Sequence, residues 1–434
     1  MVNKSKIERA DHNESFCATL SNSFSGVRKF SEELTRPLET EDFVIQSMPD
    51  VSPTKWHLAH TSWFFETFVL NEVNPDYRSP HPQFNFLFNS YYVQVGERHC
   101  RPKRGLISRP TVAEVFRYRR HVDQRILEFL EIANEEQLRE IAPVIEMGLH
   151  HEQQHQELML TDIKHVFSEN PLRPAYRGND TKPSDRLIPD ISWIEYPEGV
   201  YSIGHDGRGF SFDNETPIHK EYVNTFKLAS RLVTNREYFE FIEDGGYKRP
   251  EIWLSDGWST VEANEWNAPL YWEKRNGSWQ YFTLSGIRNI AMNEPVCHVS
   301  YYEADAYARW AGARVPTESE WEIAASNQSI EGNFVEGDNY HPIVMSVGTN
   351  NRDPQQMFGD VWEWTRSPYG PYPGYTTLPG ALGEYNGKFM CSQIVLRGGS
   401  CVTSRSHIRK TYRNFFPPNA RWQFMGIRLA KDAK

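Results

Sequence analysis

The run His151-Glu152-Gln153-Gln154-His155-Gln156-Glu157 places two imidazoles four residues apart inside an apolar-periodic segment, Ile141 to Phe167. On a helix, residues i and i+4 lie one above the other on the same face, so this pair can chelate one ion without bending the backbone. The string supports two chemistries. Read as His-Glu-x-x-His it is the pattern of a zinc hydrolase; read as His-x-x-x-His-x-Glu it supplies two ligands of a redox iron. A third ligand is needed, and Trp56-His57-Leu58-Ala59-His60 offers further imidazoles. Imidazole suits Fe(II), Zn, Cu and Ni alike, so donor type does not choose the metal.

The elements that must position these groups are helical. One helix is expected near Phe16–Leu38, after a loose polar tail over residues 1–13. A second opens at Ser52-Pro53-Thr54, where Pro suits a first turn, and runs through Trp56–Val73. A third starts at the capping-box pattern Thr111-Val-Ala-Glu114 and ends near Asn134; the fourth carries the His pair. Such a set predicts an up-and-down bundle over 14–169, a fold that builds metal sites from facing helices. The intervening segment Asn74–Arg109 is long, irregular and therefore expected to be functional. Residues 170–188 read as a linker. From 189 to 434 the composition shifts to Gly, Trp, Tyr and short β-like runs, an α+β pattern with helices near Thr234–Glu243 and Tyr302–Trp310.

At 434 residues the chain has room for more than one core, and 39% hydrophobic content excludes a mainly disordered protein. A net charge of −10 argues against a general nucleic-acid binder. Five scattered cysteines without a Cys-x-x-Cys pair, and no apolar run of membrane-spanning length, predict a cytoplasmic protein with free thiols and no membrane partner.

Four ordered segments carry a resemblance: Pro295-Val-Cys-His298 through Trp310, Arg314-Val-Pro-Thr-Glu-Ser-Glu-Trp-Glu322, Gly359-Asp-Val-Trp-Glu-Trp-Thr365 and Arg397-Gly-Gly-Ser400. They resemble the formylglycine-generating-enzyme domain, a C-type-lectin-like fold, while the helical half resembles the DinB-like bundle. Together the halves resemble the ergothioneine-biosynthesis sulfoxide synthases of EgtB type. That resemblance implies a non-haem Fe(II) held by His60, His151 and His155, with Glu157 supporting a ligand imidazole and Glu152 incidental. His57 and His150 are expected to be structural.

The implied reaction joins the sulfur of cysteine to imidazole C2 of Nα-trimethylhistidine (hercynine), consuming O2 and leaving a sulfoxide. Gln154 resembles the imidazole-binding Gln of the family. The run Arg413-Asn414-Phe415-Phe416-Pro-Pro-Asn419-Ala420-Arg421 resembles its C-terminal pocket segment, which makes Asn414, Phe415 and Phe416 candidates for the quaternary ammonium. One of the two Phe is expected to be core packing. Arg101 and Arg104 share the family's Arg-x-x-Arg spacing before the third helix, and with Arg421 are candidates for substrate carboxylates. The chain departs from the γ-glutamylcysteine-using members at Leu382-Gly-Glu-Tyr385, where a first Tyr is lost; Tyr385 would keep an imidazole contact. The proton donor is then assigned to Tyr92, with Tyr91 beside it, as in the branch associated with free cysteine.

Other classes fit these residues less well. A metzincin-type zinc enzyme would need Gly and His where Leu158 and Thr161 stand. Formylglycine-generating enzymes use a Cys pair, and Ser406–Arg413 holds no Cys. A non-catalytic lectin-like binder would not need three ligand His. γ-Glutamylcysteine or a selenium donor remain alternatives to cysteine, and the sequence leaves the oligomeric state open. Ovothiol-type relatives usually carry an added methyltransferase domain, for which there is no room.

Overall fold

The computed structural model describes residues 2–178, 186–346 and 353–433, with side chains from Phe16 onward. Contacts divide it into two compact units, Met1–Val166 with Gly380–Leu382, and Phe167–Pro379 with Gly383–Lys434. Of the expected linker, residues 179–185 lie outside the described residues.

The first unit is helical. Helix α1 spans Val2–Thr35, so the expected tail is instead continuous helix. Its first two dozen residues contain no Pro and no Gly, and Lys, Glu, Arg and Ala among them favour the helix. It stops before the expected Leu38 because Pro37 disfavours a helical residue 36. Helix α2 spans Thr54–Phe65 and continues through a π-helical turn, Glu66–Leu70, into α3, Asn71–Val73. The long segment is partly ordered by α4, Phe84–Phe88, and a 3-10 turn, Arg101–Leu106. Helix α5, Val112–Ile132, begins with Thr111 and Glu114 capping each other's backbone N–H groups, as the sequence predicts. Helix α6 spans Glu135–Glu169.

Helix α2 is buried along its whole length, which fits its lack of a polar stripe. Gly148 lets α6 approach it: a Cβ there would lie 2.6 Å from the Phe65 ring. Glu152 then ties three helices together. It accepts from Arg28 of α1 at 2.7 Å, from Ser31 of α1, and from Arg119 of α5. The Glu that suggested a hydrolase is thus a buried structural clamp rather than an incidental residue.

The second unit is α+β. Strands β1 (Trp193–Tyr196), β4 (Phe226–Ala229) and β12 (Ala430–Asp432) form an antiparallel sheet, and β2 (Gly199–Ile203) pairs with β3 (His219–Val223). Strands β5 (Trp272–Arg275), β6 (Ser278–Thr283) and β7 (Gly286–Asn289) make a meander. A further sheet orders β10 (Asn414–Phe416), β9 (Ile394–Arg397), β8 (Trp362–Pro368) and β11 (Met425–Gly426). The expected helices are present as α7 (Asn235–Glu243) and α9 (Tyr301–Trp310), and two more appear, α8 (Ser255–Asn264) and α10 (Glu318–Ala325).

The motifs of this half are scaffold. Glu363 of Gly-Asp-Val-Trp-Glu-Trp is buried and meets Arg428 at 2.7 Å and the Trp321 indole N–H at 2.9 Å. Glu318 and Glu322 of α10 pair with Arg413 and with Arg397 of β9. Gly359 has φ +76°, and a Cβ there would lie 2.4 Å from the Asn333 carbonyl oxygen, so only Gly makes this turn. No helix among the described residues is long and apolar enough to cross a membrane.

Candidate metal centre

Three helical imidazoles converge in the first unit. His60 of α2 faces His151 and His155 of α6, and their ring nitrogens lie within 4.8 Å of one another. His151 Nε2 is 3.2 Å from His60 Nε2 and 3.1 Å from His155 Nε2. Two nitrogens bound at right angles about 2.1 Å from one ion would be about 3.0 Å apart, so both spacings suit ligands of a single metal. Burial pushes the His151 imidazolium down to about 3. Burial, and then proximity to His151, likewise lowers His60 and His155. All three rings are therefore held neutral, the form that binds metal. The donor set fits a divalent transition metal.

The surroundings fix the rings. His60 Nδ1 donates to the Phe88 carbonyl at 2.6 Å, which turns Nε2 toward the other imidazoles. Trp56 and Trp63, one turn away on either side, stack on His60 at 4.6 and 5.4 Å between centroids. Trp56 donates to the Leu87 carbonyl and Trp63 to Asn85, so the segment around α4 anchors both indoles. His155 Nδ1 lies 2.8 Å from His57 Nδ1, and His57 Nε2 is 3.0 Å from Asp162. His57, expected to be merely structural, thus touches the candidate ligand His155 and is itself backed by Asp162. The signal was present in the sequence: His57 precedes His60 by three residues, and Asp162 follows His155 by seven, two turns along α6. Glu152 points elsewhere. Burial raises its carboxyl, but Arg119 and Arg28 outweigh that and hold it at about 2.

The other candidates of this unit lie close in sequence to these anchors. Tyr92 is fully buried, its ring 5.6 Å from Trp63 and 5.1 Å from Phe68, with half-buried Tyr91 stacked on it at 4.6 Å. Asn89 holds the Tyr92 backbone at both its N–H and its carbonyl. Arg104 is buried, lies 3.3 Å from the Trp56 ring centre, and donates to the Ser52 and Ser90 hydroxyls. Among the described residues no carboxylate comes within ion-pair distance of Arg104; burial, and Arg101 nearby, disfavour its charge. Arg101 is exposed and donates to the Asp50 carbonyl, and Gln154 is half-buried on α6.

In the second unit, Phe415 lies flat on Tyr369 at 4.0 Å and Phe389 stacks at 5.9 Å. Phe416 packs edge-on against Trp422, and Asn414 accepts from the Phe415 N–H. Tyr385 is buried and stacks on Phe212 at 5.2 Å. Arg421 needs correcting as a carboxylate-binding candidate. Its guanidinium is buried, pairs with Glu303 at 3.1 Å, lies over Trp266 and donates to the Ala268 carbonyl. Its charge is already met.

Comparison with known proteins agrees with this architecture. A sulfatase-modifying factor enzyme 1-like domain matches residues 179–433, and the DinB superfamily matches 23–159. The hercynine oxygenase of Mycolicibacterium smegmatis is 32% identical, over 92% of this chain and 96% of its own length. That of Mycobacterium tuberculosis is 31% identical over 88% and 92%. The formylglycine-generating enzyme of Streptomyces coelicolor is 27% identical and covers 60% of this chain. With a DinB-like bundle followed by a C-type-lectin-like α+β domain, and with relatives aligned along nearly its whole length, the chain belongs to the EgtB-type sulfoxide synthases, oxygen-using oxidoreductases of ergothioneine biosynthesis.

Proposed function

We propose that this chain is a non-haem Fe(II) enzyme that joins the sulfur of cysteine to imidazole C2 of hercynine, with O2 as oxidant, to give hercynylcysteine sulfoxide. The observation that carries this reading is the buried three-imidazole cluster in a chain similar to hercynine oxygenases. Iron bound by His60, His151 and His155 would supply the one-electron chemistry that O2 requires.

The chain's own residues do the rest. Gln154, one residue before His155 and half-buried, is placed to hold the substrate imidazole. Arg104, a buried guanidinium whose side-chain partners among the described residues are hydroxyls and an indole, is suited to a substrate carboxylate, with exposed Arg101 as a second cation. Tyr92 supplies a phenolic proton from a water-excluded position, with Tyr91 stacked on it. Its anchor Asn89 follows directly on Phe88, whose carbonyl orients His60, so one short segment holds both donor and ligand. In the second unit, Phe415 and Asn414 are the candidates for a quaternary ammonium, Tyr385 for an imidazole contact, and Phe416 is core packing against Trp422. Cysteine is favoured as sulfur donor because Leu382 stands where γ-glutamylcysteine users carry Tyr. Five cysteines outside any disulfide fit a reducing cytoplasm.

The test is product identification. Iron-loaded protein prepared without oxygen is mixed with hercynine, O2 and either cysteine or γ-glutamylcysteine, and products are identified by mass. The expected product is hercynylcysteine sulfoxide. No C–S product with either thiol overturns the reading; equal use of both overturns the cysteine preference alone.

A further inference from the structure

Asp162 lies on α6 two turns beyond His155 and is buried. Its Oδ2 accepts the Ser52 backbone N–H at 2.8 Å and stands 3.0 Å from His57 Nε2. His57 Nδ1 in turn is 2.8 Å from His155 Nδ1. The direction of this chain follows from what each group can do. A carboxylate only accepts, so His57 Nε2 carries the hydrogen. A neutral imidazole has one donor and one acceptor nitrogen, so His57 Nδ1 is left as an acceptor. The group facing it, His155 Nδ1, must then donate. His155 Nε2 therefore keeps its lone pair, and it is this nitrogen that lies 3.1 Å from His151 Nε2 inside the cluster.

We propose that Asp162 is a positioning residue which, acting through His57, fixes His155 in the tautomer that presents Nε2 to the metal. The same oxygen pins the backbone at Ser52, directly ahead of the helix that carries His57 and His60. One carboxylate thus sets both the ring tautomer on α6 and the seat of the α2 ligand. His60 obtains the equivalent constraint from a backbone carbonyl, which no substitution of its own side chain can remove.

The inference rests on reading the three imidazoles as a metal centre, and the test separates the two. Zn(II) and Co(II) are titrated into metal-free protein against a competing chelator. Asp162→Ala is expected to weaken binding about 10- to 100-fold, the usual cost of losing a ligand's outer partner, and to alter the Co(II) ligand-field spectrum. Asp162→Asn, whose amide oxygen can still accept from Ser52 and His57, is expected to restore most of the affinity. A carboxylate that only tied helices together would lower the melting temperature of Asp162→Ala with unchanged dissociation constants and spectrum, and that result overturns the proposal. Should Asp162→Ala not fold, two-bond proton–nitrogen correlations on zinc-loaded wild type decide. Protonation at His57 Nε2 and His155 Nδ1 supports the relay; protonation at His57 Nδ1 overturns it. Failure of the wild type itself to bind either metal would overturn the metal centre, a distinct outcome.

Discussion

Tyr92 and Arg104 show how single side chains take a role from their surroundings. Tyr92 is sealed among Trp63, Phe68 and Tyr91, so in the proposed role of proton donor its hydroxyl would act without competition from bulk water. Replacing it by Phe keeps the packing and removes the hydroxyl. If Tyr92 is the proton donor, sulfoxide formation by Tyr92→Phe falls about 10²- to 10⁴-fold, with metal content unchanged. Unaltered sulfoxide yield in a mass assay would remove Tyr92 as donor. Arg104 is a buried guanidinium whose side-chain partners among the described residues are hydroxyls and an indole, a cost in free energy that the proposed substrate carboxylate would offset. Arg104→Met should raise KM for the thiol about 10- to 100-fold while changing kcat less, because a charged hydrogen bond contributes about 1.5–3 kcal/mol to binding. Steady-state kinetics with hercynine saturating measures that split. Both residues were legible in the sequence as types in a loop near basic residues. Their burial was not, because the segment's order depends on Trp56 and Trp63 of α2 gripping it from elsewhere in the chain.

At the scale of elements, α6 does two jobs on two faces. One face carries His151, His155 and Asp162 toward α2; another carries Glu152 toward α1 and α5. Glu152→Gln would leave Arg28 and Arg119 buried with half their compensation gone. Breaking such a buried pair costs about 3–5 kcal/mol, so the variant's unfolding midpoint should drop clearly in a denaturant titration. If Glu152 were instead the general base of a hydrolase, the substitution would leave stability nearly unchanged. Helix existence was readable from apolar period and from the Thr111–Glu114 cap, since both are local patterns. Polarity alone misplaces the start of the first helix, which the absence of breakers decides; Pro37 sets its end.

At the scale of the whole molecule, two separately cored units divide the labour: one builds a cluster of neutral imidazoles, the other a scaffold of buried ion pairs. The cluster couples folding to pH. His151 is held neutral down to about 3, and burial lowers His60 and His155 as well, whereas in the unfolded chain each protonates near 6.5. The unfolded state thus binds more protons below that value, so this stabilisation is complete above it and is lost as pH falls. Metal-free protein should lose roughly 1.4 kcal/mol per pH unit for each such group on acidification below about 6.5. Melting curves from pH 7.5 to 5 would measure it, and a flat profile would contradict the neutral cluster. Metal-loaded protein should melt higher at neutral pH by an amount that grows with free metal.

The sequence by itself determined what is local: the i, i+4 imidazole pair, the capped helices, the division into a helical and an α+β half, and motifs specific enough to mark the family. Only the tertiary structure decided what neighbouring side chains do to one another. Glu152, read from the motif as a base or a bystander, became a clamp because Arg28 and Arg119 arrive from other helices. His57 became the partner of a ligand, and Asp162 its orienting carboxylate, across sequence separations of 98 and 105 residues. Arg421 was withdrawn from substrate binding by Glu303. A helix period fixes which residues share a face; it does not say which face of which other helix will meet them, and that meeting sets charge, tautomer and role.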